Sequence, residues 1–254
     1  MMKKADYSKI APLYDKGRTI SEQNIDLWLR AIARLSRGSE GSKVLDLGCG
    51  TGRFSIPMAA TLGYRVTGAD SSAEMLEVSR EKDIEKRVAW DLQDAQDLSY
   101  PDKSFDIVFM SHLLHHCEYP DKVVRECHRV LSERGVIVIR YGAIEQIRHD
   151  AEHTFFPETL AIDEDRSITI NMVEGWLQAA GFSGVVSEEI EQQTYETAEA
   201  HLEATRVKNT SVLTMISDRA YREGLERFQD YLEKNPPTSW LLYDRMTLTV
   251  GFKT

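Results

Sequence analysis

The sequence predicts a doubly wound α/β sheet. Short apolar runs alternate with amphipathic helical stretches through five units, which is the pattern of a parallel sheet covered by helices. The first unit opens with a strand, a glycine-rich turn and a helix start. Two late apolar runs, separated by helical segments, add a sixth and a seventh strand. A length of 254 residues suits one large α/β domain, or one carrying a sizeable insertion.

The elements follow in order. An amphipathic helix is expected from Ser21 to Arg37, with Ile25, Trp28, Leu29, Ile32 and Leu35 on one face. Thr19 and Glu22 have capping-box spacing, and Gly38 supplies a stop. Val44 to Leu47 is the first strand, with Asp46 as its single charge, and Gly48, Gly50 and Gly52 make the turn behind it. Glycines there let the backbone adopt positive φ and let a ligand approach the main chain, while the new helix start favours an electron-rich ligand group. The next helix runs from Arg53 to Leu62, and the second strand from Arg65 to Asp70, with Ser71 and Glu74 capping the helix that follows. Arg87 to Asp91 is the third strand and Ile107 to Met110 the fourth. Pro120 starts a helix whose buried face is Val123, Val124, Cys127, Val130 and Leu131, ended by Gly135. Val136 to Ile139 is the fifth strand.

Beyond Gly142 the alternation breaks. Residues 142–168 read as a helix and loop covering a ligand site. Asn171 and Glu174 cap a helix from Met172 to Ala180, and Gly184 to Ile190 reads as the sixth strand. Helices at Ala198 to Arg206 and Asp218 to Lys234 form an insertion before the last strand, Met246 to Phe252. The expected divisions are residues 1–40, an N-terminal segment and covering helix; 41–194, the α/β core; 195–243, a helical insertion over the site; and 244–254, the last strand.

Bulk properties narrow the function. The net charge of -10 argues against nucleic-acid partners, whose binding surfaces are basic. No apolar run reaches the roughly 18 residues a membrane span needs. The N-terminal Met-Met-Lys-Lys-Ala-Asp lacks the apolar stretch of a secretory signal. Cys49, Cys117 and Cys127 are unevenly spaced, which fits reduced thiols and a cytoplasmic location.

The glycine turn invites comparison with the dinucleotide fingerprint Gly-x-Gly-x-x-Gly, but the sixth place is Arg53. The pattern is instead Asp-x-Gly-x-Gly-x-Gly, from Asp46 to Gly52. The run Asp94-Ala95, then Leu98-Ser99-Tyr100-Pro101-Asp102, then Ser104-Phe105-Asp106, extends the match. Together these resemble the class I S-adenosylmethionine-dependent methyltransferases, in particular the ubiquinone/menaquinone-biosynthesis-like group, over roughly Tyr7 to Gly142. The resemblance implies a seven-stranded sheet with the last strand antiparallel between the fifth and sixth.

It also implies a cofactor, S-adenosyl-L-methionine, and places for its parts. Asp46, Gly48, Cys49, Gly50 and Gly52 would hold the methionine end, with the backbone near Ser111 at its amino group. Asp70 would accept from the ribose hydroxyls, with Ser71 and Met75 alongside. Asp94 and the Ala95 N–H would match the edge of adenine. The segment from Tyr7 to Tyr14 and Asp15 resembles a lid that sets Tyr14 over the cofactor. The expected reaction is direct displacement of a methyl group by a small-molecule acceptor, driven largely by alignment and water exclusion.

Candidate bases are His112, His116 and Tyr14. His112 and His116, four apart, would share a helical face. The usual metal-ligand spacing is missing around them, so no metal is expected. Arg140, at the tip of the fifth strand, suits either an anionic substrate group or, as the preferred reading, an ion pair with a neighbouring acid. A non-enzymatic S-adenosylmethionine-binding module and an NAD(P)-dependent oxidoreductase are the alternative readings. Oligomeric state is not written in the sequence.

Overall fold

The alternating apolar runs form one seven-stranded sheet in the computed structural model, which describes residues 20–235 and 243–254. The strands are β1 (Lys43–Leu47), β2 (Arg65–Asp70), β3 (Val88–Leu92), β4 (Phe105–Ser111), β5 (Leu131–Tyr141), β6 (Phe182–Gln193) and β7 (Tyr243–Lys253). Their order is β3-β2-β1-β4-β5-β7-β6. β1 to β5 pair in parallel, and β7 lies antiparallel to both neighbours. This is the order the family resemblance implies.

The central strands are buried on both faces, as expected for a parallel sheet. Leu45 and Leu47 point to one face, with Val108, Met110, Ile137 and Ile139. Helices α4 (Pro120–Val130) and α8 (Ile170–Ala179) cover it with Val123, Val124, Cys127, Val173 and Leu177. Val44 points to the opposite face, with Val66, Phe109 and Val138. There α1 (Glu22–Ser36) and α2 (Ser55–Leu62) supply Trp28, Ile32 and Met58. Helix α3 (Ala73–Lys82) packs beside β2 and β3.

Several local expectations are corrected. Helix α1 is capped by the Ser21 side chain, which accepts from the Asn24 N–H, while Thr19 lies outside the described residues. Its left-handed terminator is Arg37, not Gly38. Gly38 is there for closeness instead, since a Cβ would sit 2.4 Å from the Tyr64 hydroxyl. Ser72 rather than Ser71 caps α3, accepting from Met75 N–H. Thr169 rather than Asn171 caps α8. Helix α4 ends at Val130, and the chain enters β5 at once, so Gly135 lies inside a strand.

Residues 142–168 hold three short helices rather than one: α5 (Ile144–Ile147), α6 (Ala151–Phe155) and α7 (Glu158–Arg166). Helices α9 (Ala198–Arg206) and α10 (Asp218–Lys234) have the expected bounds. Helices α6, α7, α9 and α10 pack around a separate apolar cluster. Phe155 and Phe156 from α6 and its end meet Leu202, Leu213, Ile216 and Phe228. Phe155 and Phe228 stack with ring centroids 4.4 Å apart. Two stretches distant in sequence thus form one cap above the carboxyl ends of the strands.

Candidate functional site

The tip of β1 turns into α2 through three glycines with positive φ: 72° at Gly48, 54° at Gly50 and 76° at Gly52. Their jobs differ. Among the described residues, a Cβ on Gly50 would meet nothing within 4 Å, which leaves its face open to a ligand. A Cβ on Gly52 would lie 2.5 Å from Trp90, so that glycine serves packing. Asp46 is buried at the head of the turn, where its carboxylate accepts from the Ser55 hydroxyl. Burial, opposed by that hydrogen bond, pushes its pKa up to about 7. The neighbouring Cys49 thiol is also pushed up by burial, which keeps it protonated and unreactive.

Asp70, at the tip of β2, ties this turn in place. One carboxylate oxygen accepts from Gly50 N–H and the other from Ser72 N–H, both at 2.9 Å. Asp94 is exposed at the next tip and accepts from Gln96 N–H at 2.9 Å, with Ala95 half-buried beside it. The acids expected for ribose and adenine thus stand in sequence along one edge of the sheet, beyond the strand ends where α/β folds bind ligands.

A cavity of about 830 Å³ begins at the glycine turn and runs under the cap. Asp46, Gly48, Cys49 and Gly50 line it, as do Ser111, His112 and His116. Gly52, Asp70, Ser71, Met75, Asp94 and Ala95 do not line it. Tyr14 lies outside the described residues. The two histidines are not on one helical face as expected: His112 has φ 54°, and a 3-10 turn (Leu114–His116) follows it. A non-glycine residue held in this region of φ is a recurrent mark of functional sites. His115 joins them in the cavity wall, its ring 3.9 Å from that of His116.

Arg140 also lines the cavity, and the expected ion pair is absent among the described residues. Its guanidinium is 4.3 Å from the centroid of the Trp28 ring and 5.4 Å from that of Phe54. It donates to two neutral oxygens, Ser111 Oγ at 3.1 Å and Gln192 Oε1 at 3.2 Å. Gln192 Oε1 also accepts from Trp28 Nε1 at 2.7 Å. Aromatic faces replace the carboxylate.

The far wall was invisible to sequence reasoning. Asp150, Glu152, Asp163 and Asp244 all line it. Burial first, and then mutual repulsion, raises Asp150 to about 8; Glu152 reaches about 7 despite accepting from Thr210 Oγ1. Asp244, which accepts from Thr194 Oγ1, is raised by burial as well. Tyr195 stacks on His201 at 4.2 Å and receives a 2.6 Å hydrogen bond from Asn209 Nδ2. These residues come from α6, α7, the tips of β6 and β7, and the loop after α9. No short motif unites them; the break in alternation after Gly142 and the helical insertion expected at residues 195–243 pointed to the region but not to these residues.

Comparison with known proteins agrees with this geometry. Residues 45–139 match the methyltransferase domain family. The chain is 32% identical over 204 residues to the methyltransferase GfsG of Streptomyces halstedii, covering 78% of this chain and 70% of that protein. It is 31% identical over 159 residues to the ubiquinone/menaquinone biosynthesis C-methyltransferase UbiE of Bdellovibrio bacteriovorus, covering 61% and 68%. A Haemonchus contortus phosphoethanolamine N-methyltransferase, solved with phosphomonomethylethanolamine and S-adenosylhomocysteine, superposes with a TM-score of 0.66. That alignment covers all of this chain and 60% of the other at 21% identity, a likeness of fold.

Proposed function

Because the chain belongs to the class I S-adenosylmethionine-dependent methyltransferases, we propose that its cavity brings a small-molecule acceptor to the methyl donor at the glycine turn. One observation carries this reading: a single continuous cleft joins Gly48 and Gly50 to the cap. Its volume of about 830 Å³ lies within the range of small-molecule sites, about 300–1,000 Å³. The net charge of -10 disfavours a nucleic-acid acceptor. Among the described residues no helix is long and apolar enough to cross a membrane. With Cys49, Cys117 and Cys127 outside any disulfide, a cytoplasmic location fits.

The residues suit the cofactor. Gly50 presents an open backbone face, and Asp70 already holds that backbone with one carboxylate oxygen. Asp46, Gly48, Cys49, Gly50 and Ser111 would hold the methionine end, and Asp70, Ser71 and Met75 the ribose. Asp94 and Ala95 would hold the adenine. When bound, S-adenosylmethionine supplies a methyl group activated by a sulfonium leaving group. The protein aligns the acceptor and excludes water, which is where such a displacement gains most. His112 is the first candidate to take a proton from the acceptor, then His116, with Tyr14 a further one.

Calorimetric titration with S-adenosylhomocysteine tests the assignment in wild type and Asp70→Ala. Wild-type binding, weakened about tenfold or more by loss of a charge-assisted hydrogen bond, is expected. Unchanged affinity in the variant would remove Asp70 from the ribose site. Mass spectrometry of small-molecule acceptor panels then reads methyl transfer directly.

A further inference from the structure

Arg140 is 2% exposed, yet no carboxylate among the described residues is paired with it. A guanidinium carries five N–H donors. Two of them are taken, by Ser111 Oγ and Gln192 Oε1, and its buried Nε has no acceptor among the described residues. Burial of an uncompensated charge is costly unless something repays it. Trp28 and Phe54 repay part through their ring faces. The residue is also held still: Gln192 bridges it to Trp28 Nε1, and β4 pairs Ser111 directly opposite it. A rigid, desolvated, under-bonded guanidinium in the wall of a ligand cavity is a preformed receptor for a planar oxyanion.

We propose that Arg140 is the anion anchor of this cavity and receives a carboxylate or other oxyanion of a bound ligand. Its surroundings favour that charge. Burial and the nearby Arg53 press its pKa down to about 9, so it stays charged at neutral pH, and a negative group beside it would offset both effects. Asp244 acts on it through space without coming within ion-pair distance, so the position beside Arg140 is not filled from that side. A purely structural role would leave the neutral partners sufficient. Such a role does not call for a cation in this wall.

The oxyanion has two sources: the carboxylate at the methionine end of the cofactor, or an anionic group on the acceptor. The first rests on the cofactor assignment above, and the second does not. The test compares wild type, Arg140→Gln and Arg140→Lys. Each is titrated calorimetrically with S-adenosylhomocysteine and with its analogue lacking the carboxylate. Each is also titrated with acetate and inorganic phosphate, alone and saturated with S-adenosylhomocysteine, following tryptophan fluorescence.

If wild type prefers S-adenosylhomocysteine over the analogue by about tenfold or more and Arg140→Gln erases that preference, the anion is the cofactor's. If the preference survives but oxyanion binding is lost in Arg140→Gln, the anion is the acceptor's. Arg140→Lys keeps the charge without the fork, so it should retain only part of either effect, and it serves if the glutamine variant does not fold. The proposal is overturned if Arg140→Gln changes neither preference nor oxyanion binding. It is overturned equally if both nucleosides weaken by the same factor and wild type binds no oxyanion. Wild type that ignores S-adenosylhomocysteine would count against the cofactor assignment, while the oxyanion titration without it still decides Arg140.

Discussion

The glycine turn after β1 and the helical cap line the same cavity with different materials. The turn uses backbone: positive-φ glycines, Gly50 N–H held by Asp70, and one buried acid satisfied by Ser55. The cap uses side chains: four carboxylates on elements far apart in sequence, held over an aromatic cluster of its own. The turn is rigid because its geometry is local. The cap is non-local, and burial with mutual repulsion pushes the pKa values of Asp150 and Glu152 up. Backbone recognition suits a ligand that stays the same, and a side-chain wall suits one that differs between relatives.

The strongest test of this division is Phe228→Ala. Phe228 is 1% exposed and stacks on Phe155. Truncating a buried phenylalanine costs about 3–5 kcal/mol. The cap should melt earlier, by near-ultraviolet circular dichroism, while calorimetric binding of S-adenosylhomocysteine at the turn persists. Equal loss of both would dissolve the distinction between the regions. Next, Gly52→Ala and Gly50→Ala separate two roles inside the turn. The first places a Cβ 2.5 Å from Trp90 and should cost about 2–4 kcal/mol in urea unfolding. The second meets open space and should cost only about 1 kcal/mol while weakening the nucleoside more.

Ser55→Ala is a smaller perturbation on the turn side. It strips Asp46 of its hydroxyl donor and should cost about 1–3 kcal/mol. Asp46 should then titrate higher than about 7, as followed by carboxylate infrared bands.

The smallest effect concerns the cap's charges. Asp150 at about 8 and Glu152 at about 7 lie above their unfolded values near 4. Between those limits the folded chain binds more protons than the unfolded one, so stability falls as pH rises. His201, pushed down to about 4 by burial, works with the opposite sign, but only below its unfolded value of about 6.5. From pH 6.5 to 8.5 the carboxylates therefore dominate, with Asp46 adding the same sign from the turn. Melting temperature should decline across that window. Asp150→Asn, which relieves repulsion from Asp244, Glu152 and Asp163, should flatten the decline and raise the value at pH 8.5 by a few degrees.

What the sequence disclosed follows the same line between local and non-local. Asp46, Gly48 and Gly50 sit within five residues, and their meaning is a matter of spacing. Helices α9 and α10 were bounded well because their caps, Thr197 and Ser217, and their apolar periodicity are local too. The ion pair preferred for Arg140 fails because its partners, Trp28 and Gln192, are 112 and 52 residues away along the chain and are aromatic or neutral. The carboxylate wall escaped for the same reason. Helix caps slipped by one or two residues wherever several serines, threonines or asparagines competed, as at Ser71 and Ser72.

The place of β7 has a consequence for how the molecule is assembled on the ribosome. β7 follows the other six strands of the sheet in sequence, yet it sits between β5 and β6 and is the only strand that pairs with β6 among the described residues. Until it emerges, β5 presents a bare edge and β6 has no ladder to join. Five parallel strands can dock during synthesis, while 12 residues of β6 wait as an unpaired template for the wrong neighbour. The nascent chain is thus most exposed to misassociation just before β7 arrives to complete the sheet. Its β6 answers with Glu188, Glu189 and Glu191, charges that discourage a second chain from pairing there.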